Sequence, residues 1–195
     1  RLPLPSGHLL ACVVVALKAY AAANKPFVVE IPVNLRTALG LSDEIGNLTG
    51  LLRLPITDST PAEVQTSIMK AISENKHLAP ILSSHRFRFL PISSLAQIGR
   101  AAHQREVKTQ QYSFSATVSN LGLTDLSSFS GPSFEPTTCY WIPPHSPSNP
   151  LLLIMCGSGT HLEITASTPR ALGDNGRLDR LLDHIVNHLT STAPS

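Results

Sequence analysis

Apolar positions along the chain follow two periods, and these outline most of its elements. Leu9, Leu10, Val13, Val14 and Leu17, with small residues between them, are apolar nearly all round a helix. That pattern predicts a buried helix starting near Ser6, whose hydroxyl can cap it, and running to about Ala22. Asn24-Lys25-Pro26 closes it. Phe27 to Arg36 reads as a strand rich in β-branched residues. Pro32 has no N–H to give a ladder, so this strand must be at an edge or bulged there. Gly46 to Pro55 is a second strand candidate. Thr60-Pro61-Ala62-Glu63 then marks a helix start, with a capping threonine, proline in the first turn and glutamate three residues after the cap. Val64, Ile68 and Ile72 keep helical spacing after it, and Pro80 ends the segment.

Leu95 to Ala102 carries a fainter helical pattern. Tyr112 to Ser119 alternates apolar and hydroxyl residues, which predicts a strand with one covered and one polar face. Ser127 to Pro136 reads as loop, and Thr138 to Ile142, Leu151 to Cys156 and Leu162 to Ala166 as strands. Pro143 to Pro150 joins the first two of these, and Gly157-Ser158-Gly159 turns between the last two. Leu178, Leu181, Leu182, Ile185, Val186 and Leu189 share one face of a closing amphipathic helix that starts near Asp174 or Asn175. Helices and strands interleave irregularly, which defines an α/β class with a mixed sheet flanked by helices, in one domain over 1–195.

Composition changes this picture in three ways. Charged residues make up only 14% of the 195 residues, against roughly 25% in a typical soluble domain, so part of the surface is expected to be covered. Fifteen Lys and Arg against thirteen Asp and Glu give +2, which argues against the clustered positive charge that nucleic acid requires. Cys12, Cys139 and Cys156 are odd in number and lack short spacings, so neither a disulfide framework nor a zinc site is indicated. Reduced, buried thiols are expected instead, which points to a cytoplasmic protein. Leu9 to Leu17, after Arg1 and before Ala19-Tyr20-Ala21, imitates a signal peptide. It is shorter than the ~20 apolar residues that span a bilayer. The chain starts with Arg rather than Met, as a fragment or processed product does. The apolar run is therefore read as a core helix, with no membrane span.

Few local motifs carry chemistry. His184 and His188 stand one helical turn apart, as a two-histidine metal pair does, but Ile185 occupies the place of the zincin glutamate and no third ligand is evident. Gly157-Ser158-Gly159 lacks the spacing of a nucleophile elbow. Cys139 and Cys156 sit in apolar runs, where thiols are inert packing. Asn47-Leu48-Thr49 matches a glycosylation sequon within a predicted strand, and is discounted. Arg36 is sharper. It ends an otherwise apolar strand, where a guanidinium must find a carboxylate or water. It pairs either locally with Asp43 or Glu44, or with an acid from another lobe or chain.

Val33-Asn34-Leu35-Arg36, Gly46-Asn47 and Ser119-Asn120-Leu121-Gly122 carry a resemblance. The order of elements resembles the second half of the acyltransferases related to chloramphenicol acetyltransferase. That superfamily includes peptide-synthetase condensation domains, plant BAHD acyltransferases and alcohol O-acetyltransferases. The first two motifs are similar to those of plant members. Ser119 to Gly122 is similar to the alcohol acetyltransferase and polyketide-associated branches. The family's catalytic His-x-x-x-Asp is absent, as is the plant Asp-Phe-Gly-Trp-Gly.

The resemblance implies a C-terminal lobe of a two-lobed, CoA-dependent acyltransferase fold, without the N-terminal lobe that carries His-x-x-x-Asp. It implies acyl transfer from a thioester, of CoA or a carrier protein, to a hydroxyl or amine, in a tunnel between lobes. The histidine of the missing lobe would be the general base. No catalytic residue would lie in this chain, which would be inactive alone, with no covalently bound cofactor. Arg36 would pair with the motif aspartate as structural support. Asn120 and Ser119 would face the tunnel, stabilising the oxyanion or positioning substrate. Asn34 and Asn47 are further candidates, or else satisfy backbone groups near a bulge. Partners would be the N-terminal lobe or a separate chain, and a small alcohol or amine. The alternatives are a non-catalytic docking module, or a subunit completing another chain. A metal hydrolase built on His184 and His188 is a third reading.

Overall fold

The computed structural model describes residues 6–21, 26–41, 44–57, 60–79, 87, 89–109, 111–144, 148–158 and 161–191. Helix α1 (Ser6–Ala21) leads into strand β1 (Phe27–Asn34), a single helical turn α2 (Arg36–Leu39), β2 (Thr49–Ile56) and α3 (Pro61–Ser73). A one-turn 3-10 helix (Lys76–Leu78) and α4 (Ile92–Thr109) precede β3 (Ala116–Thr124). The chain continues through a second 3-10 turn (Leu126–Phe129), β4 (Leu152–Ser158), β5 (His161–Ser167), short α5 (Arg170–Gly173) and α6 (Arg177–Ser191). The five strands form one mixed sheet in the order β2-β1-β3-β4-β5. β1, β3 and β4 are parallel, and β2 and β5 run antiparallel to β1 and β4 at the two edges.

Helices α1, α3 and α6 cover one face of this sheet. Every residue from Leu10 to Leu17 is buried, because α1 packs against α3, α6 and β3 at once. A helix apolar all round is stable only when enclosed in this way. α3 presents Val64, Ile68 and Ala71 to the core, and α6 presents Leu181, Ile185 and Leu189. From the sheet, Val29, Ile31, Leu52, Ile56, Ala116, Val118, Leu153 and Met155 point the same way. The alternate residues point to the other face, where Glu30, Thr117, Cys156 and Ser158 are also buried.

Local signals set the start of α3. Glu63 N–H donates to Thr60 Oγ1 (3.3 Å) and Thr60 N–H donates to the Glu63 carboxylate (3.1 Å), closing the capping box. The helix ends at Ser73, and Pro80, expected to stop it, lies outside the described residues, as do Asn24 and Lys25. α1 begins at Ser6 itself rather than one residue later.

Several boundaries differ from the sequence expectation. β1 stops at Asn34, and Arg36 opens α2 instead of ending the strand. Asn34 Oδ1 accepts the Arg36 N–H (3.0 Å), a local bond that competes with the ladder. β2 starts at Thr49, opposite Asn34, so Gly46 and Asn47 lie in the preceding loop. β3 starts at Ala116 and runs on to Thr124, which puts Ser119 and Asn120 inside the strand. Thr138 to Ile142 is irregular and holds no strand. Side chains fasten it instead: Thr138 Oγ1 donates to Glu163 Oε1 (2.6 Å) and Thr165 Oγ1 donates to the Trp141 carbonyl. Cys139 is therefore not a strand residue. β4 includes Gly157 and Ser158 in place of the expected turn; Gly159 lies outside the described residues. α4 is 18 residues long, well beyond the expected Leu95 to Ala102. Its Ile92, Leu95 and Ile98 are exposed.

Pro32 explains how the sheet opens. Val28 N–H donates to Ser115 Oγ (3.1 Å), and Ser115 N–H donates to Val28 O (2.7 Å). Alternate residues of a strand offer their backbone groups to the same side, so residues 28, 30 and 32 face β3. Pairing of β1 with β3 covers only Val29↔Ala116 and Glu30↔Thr117. It stops before Pro32, which has no N–H to extend it. β1 is central by position and an edge by hydrogen bonding over its last residues.

Candidate functional site

The carboxyl ends of β1, β3 and β4 all lie at one end of the sheet, and there β1 and β3 no longer pair. In open α/β sheets ligands bind outside the carboxyl ends of parallel strands, where neighbouring connections diverge. Arg36, Asn34, Asn120 and Ser119 belong to this end, as do Thr124 and Ser158.

At the end of β1, Arg36 holds the loop that leads to β2. Its Nε donates to the carbonyl of Glu44 (3.2 Å) and its Nη2 to the carbonyl of Gly46 (2.6 Å). The local partner expected from sequence was a carboxylate. The structure supplies backbone carbonyls, one of them from Glu44 itself; Asp43 lies outside the described residues. A guanidinium has five N–H donors in a fixed fork, and these two contacts occupy two of them. Leu35 N–H donates to Leu48 O (2.9 Å), tying the ends of the loop together. Gly46 takes φ 153°, within the region that favours glycine. Asn47 is exposed beside it.

β3 carries the second half of the site. Asn120 pairs with Met155 and Leu123 with Gly157, so two residues of β3 face one of β4. This is a β-bulge, at Leu121-Gly122. Gly122 adopts φ 78°, and its N–H donates to Asn120 Oδ1 (2.9 Å). The Ser-Asn-Leu-Gly sequence is thus a bulge signature: asparagine supplies the local acceptor and glycine the left-handed backbone. Ser119 is half-buried on the sheet face opposite α1. Past the bulge, Thr124 Oγ1 lies 3.1 Å from Cys156 Sγ. Ser158 pairs with Thr124 across the ladder, and its buried Oγ has no hydrogen-bond partner among the described residues.

Beneath the opening lies a rung that sequence reasoning missed. Arg53, Glu30 and Thr117 are aligned across β2, β1 and β3. Arg53 Nε donates to Glu30 Oε2 at 2.7 Å, and Thr117 Oγ1 donates more weakly to Glu30 Oε1 at 3.4 Å. Asn149 Nδ2 donates to Thr117 Oγ1 (3.0 Å), and the Arg53 guanidinium lies over the Phe114 ring at 5.1 Å. The signal available in sequence was one acid and one base, each in an otherwise apolar strand.

The histidine pair gives no matching cluster. His184 lies against Tyr20, ring centroids 5.5 Å apart, and its Nε2 is buried without a hydrogen bond among the described residues. Among those residues no group of three His, Cys, Asp or Glu is placed to hold a metal ion. No described helix is long and apolar enough to cross a membrane.

The fold is a five-stranded mixed sheet flanked by helices, and it is similar to part of larger solved domains. No protein-family model matches the chain, and no curated protein does. Among solved structures, it is similar to the epimerization domain from the third module of tyrocidine synthetase B (TM-score 0.57, 14% identity, 95% of this chain and 40% of that one). It is also similar to the condensation domain that mediates chain release from the enacyloxin polyketide synthase (TM-score 0.51, 14% identity, 97% of this chain and 36% of that one). The chain thus spans about two fifths of the length of these neighbours or less. The likeness lends nothing to the narrower resemblance to BAHD or alcohol O-acetyltransferase branches.

Proposed function

We propose that this chain is the C-terminal lobe of an acyltransferase-like enzyme that moves an acyl group from a thioester to a hydroxyl or amine. One observation carries the reading: nearly the whole chain superposes on well under half of two condensation-type domains. The histidine base would come from a complementing N-terminal lobe or a separate chain, because no histidine here is followed by aspartate at the family's spacing. The co-substrate would be an acyl thioester of CoA or of a carrier protein, the acceptor a small alcohol or amine, and the setting cytoplasmic.

In this reading the C-terminal ends of β1 and β3 form this lobe's side of a tunnel. Arg36 would give a carboxylate of the other lobe part of its remaining fork, while its hold on the carbonyls of Glu44 and Gly46 fixes where the fork points. Ser119 and Asn120 would line the tunnel. Asn120 Oδ1 accepts the Gly122 N–H, and an oxyanion contact from that side chain would come from Nδ2, its donor atom. Asn34 and Asn47 would be further tunnel-side candidates, with Asn34 Oδ1 already accepting the Arg36 N–H.

The test is an acyl-transfer assay with acyl-CoA or acyl-carrier protein and an alcohol or amine. The chain alone should show no turnover, and turnover should appear once a lobe bearing His-x-x-x-Asp is joined to it. Turnover by the isolated chain would overturn the two-lobe reading. A stoichiometric complex that binds thioester without turnover would instead establish the non-catalytic docking module.

A further inference from the structure

The turn between α5 and α6 brings together the groups of a reaction that acyl transfer does not use. Asp174-Asn175-Gly176 forms this link, and Asn175 is the one asparagine of the sequence that precedes a glycine. Both residues of the pair take left-handed backbone, φ 61° at Asn175 and φ 69° at Gly176. Arg177 N–H closes the turn by donating to Asp174 O (3.3 Å). Asn175 is exposed. Among the described residues, its side-chain carboxamide has no hydrogen-bond partner, and the Gly176 N–H donates to no acceptor.

An exposed carboxamide followed by an unbonded amide N–H can close into a cyclic imide. The backbone nitrogen of Gly176 bonds to Asn175 Cγ as the Cγ–Nδ2 bond breaks, and ammonia leaves with the proton of that nitrogen. Glycine has no side chain to shield the attacking nitrogen. Water then opens the imide. Attack at the side-chain carbonyl restores the peptide with aspartate, and attack at the backbone carbonyl leaves isoaspartate, with the chain running through the side chain. Either product exchanges a neutral carboxamide for a carboxylate.

Arg180 acts on this step through the backbone. Its Nη1 donates to the carbonyl of Asn175 (2.9 Å), and its own N–H donates to Gly176 O (3.1 Å). Imide closure rotates the Asn175–Gly176 peptide about the Asn175 Cα–C bond, so the carbonyl that the guanidinium holds has to swing away. The product carboxylate stands just ahead of the first turn of α6, where negative charge is favoured.

We propose that Asn175 is a self-modification site, converting to aspartate and isoaspartate at a rate that Arg180 restrains. The proposal is independent of the two-lobe reading. Its test is incubation of the chain at neutral pH and physiological temperature. Conversion is read residue by residue by peptide mass spectrometry, and isoaspartate by enzymatic methylation of its carboxylate. Conversion should be confined to Asn175. Asn75 is also left-handed (φ 56°) but precedes Lys76, so it is the internal control and should stay intact. Arg180→Ala should speed conversion about two- to tenfold, the weight of one net hydrogen bond. Amide exchange at Ile185, within α6, should stay unchanged in that variant, which shows that the gain is local. Four results would each overturn the proposal. The first is an Asn175 intact in both proteins while the free peptide 170–180 converts fully. The second is equal conversion at Asn75, and the third an unchanged rate in Arg180→Ala. The fourth is a faster rate accompanied by faster exchange at Ile185.

Discussion

Replacing Arg53 with methionine tests whether the last complete rung of the sheet holds the opening above it. Glu30 is 7% exposed, and its shorter bond is the 2.7 Å contact from Arg53 Nε. The Arg53→Met variant keeps the aliphatic contact with the sheet but leaves the carboxylate with only the 3.4 Å bond from Thr117. Breaking a fully buried pair costs about 3–5 kcal/mol. The Arg53 side chain is 50% exposed, so water can enter from that side and the loss falls toward that of one charged hydrogen bond, about 1.5–3 kcal/mol. The contact over Phe114 adds about 0.5 kcal/mol at such a site. With a urea dependence of about 2–3 kcal/mol per molar, the unfolding midpoint should drop by about 1 M. Unfolding can be followed through Trp141, the single tryptophan. The double variant Glu30→Leu with Arg53→Met should recover most of the loss, because no unpaired charge stays buried. Amide exchange over residues 31–36 should rise in the single variant and not in the double. A single variant within about 0.5 kcal/mol of wild type, the range of ordinary surface substitutions, would refute the reasoning. So would a double variant as unstable as the sum of the two singles.

Three further outcomes follow from the geometry. Thr60→Ala removes the acceptor for Glu63 N–H and should cost about 1 kcal/mol in urea denaturation, while Thr60→Ser should stay near wild type. Gly50→Ala places a methyl 2.7 Å from the carbonyl of His77 and 3.0 Å from Leu35 Cδ2; backbone must move, so a loss of about 1–3 kcal/mol is expected, read as a lower melting temperature. The Asp125 carboxyl is held below the usual carboxylate range, first by its hydrogen bond from the Ser127 hydroxyl and then by that from Ser127 N–H. A lowered folded-state value adds stability that is fully present above the ordinary aspartate pKa, about 3.9, and is lost as pH falls through the folded value. The 3-10 turn Leu126–Phe129 should therefore hold unchanged at neutral pH and loosen only in acid, and Ser127→Ala should raise the Asp125 midpoint in an NMR titration.

Elements governed by near neighbours along the chain are legible in the sequence itself. The capping box at Thr60, the buried all-apolar helix α1 and the leucine-isoleucine face of α6 rest on bonds and periods within a single segment. Pro32 likewise announces an edge, and the reason is the end of β1–β3 pairing. The placing of ends is what local pattern misses. Arg36 and Ser119 look like strand-ending residues, yet β1 already stops at Asn34 and β3 runs on to Thr124. Asn120 and Gly122 make a bulge through which β3 continues, because β4 supplies a ladder on the other side. Thr138 to Ile142 has the composition of a strand and gains no ladder partner.

The candidate site divides in the same way. That Arg36 would need acceptors was set by its chemistry, since a guanidinium among apolar neighbours must be satisfied. That two of them are the carbonyls of Glu44 and Gly46 depended on how the chain turns back from β1 to β2, which no local pattern encodes. The Arg53-Glu30-Thr117 rung joins three strands separated by 23 and 87 residues along the chain, and only the register brings them level. Amino-acid sequence alone determined that α1, α3 and α6 form, which of their faces are apolar, and that charge is scarce. Tertiary structure decided the strand order and the opening between β1 and β3, because each depends on contacts between segments far apart in the chain.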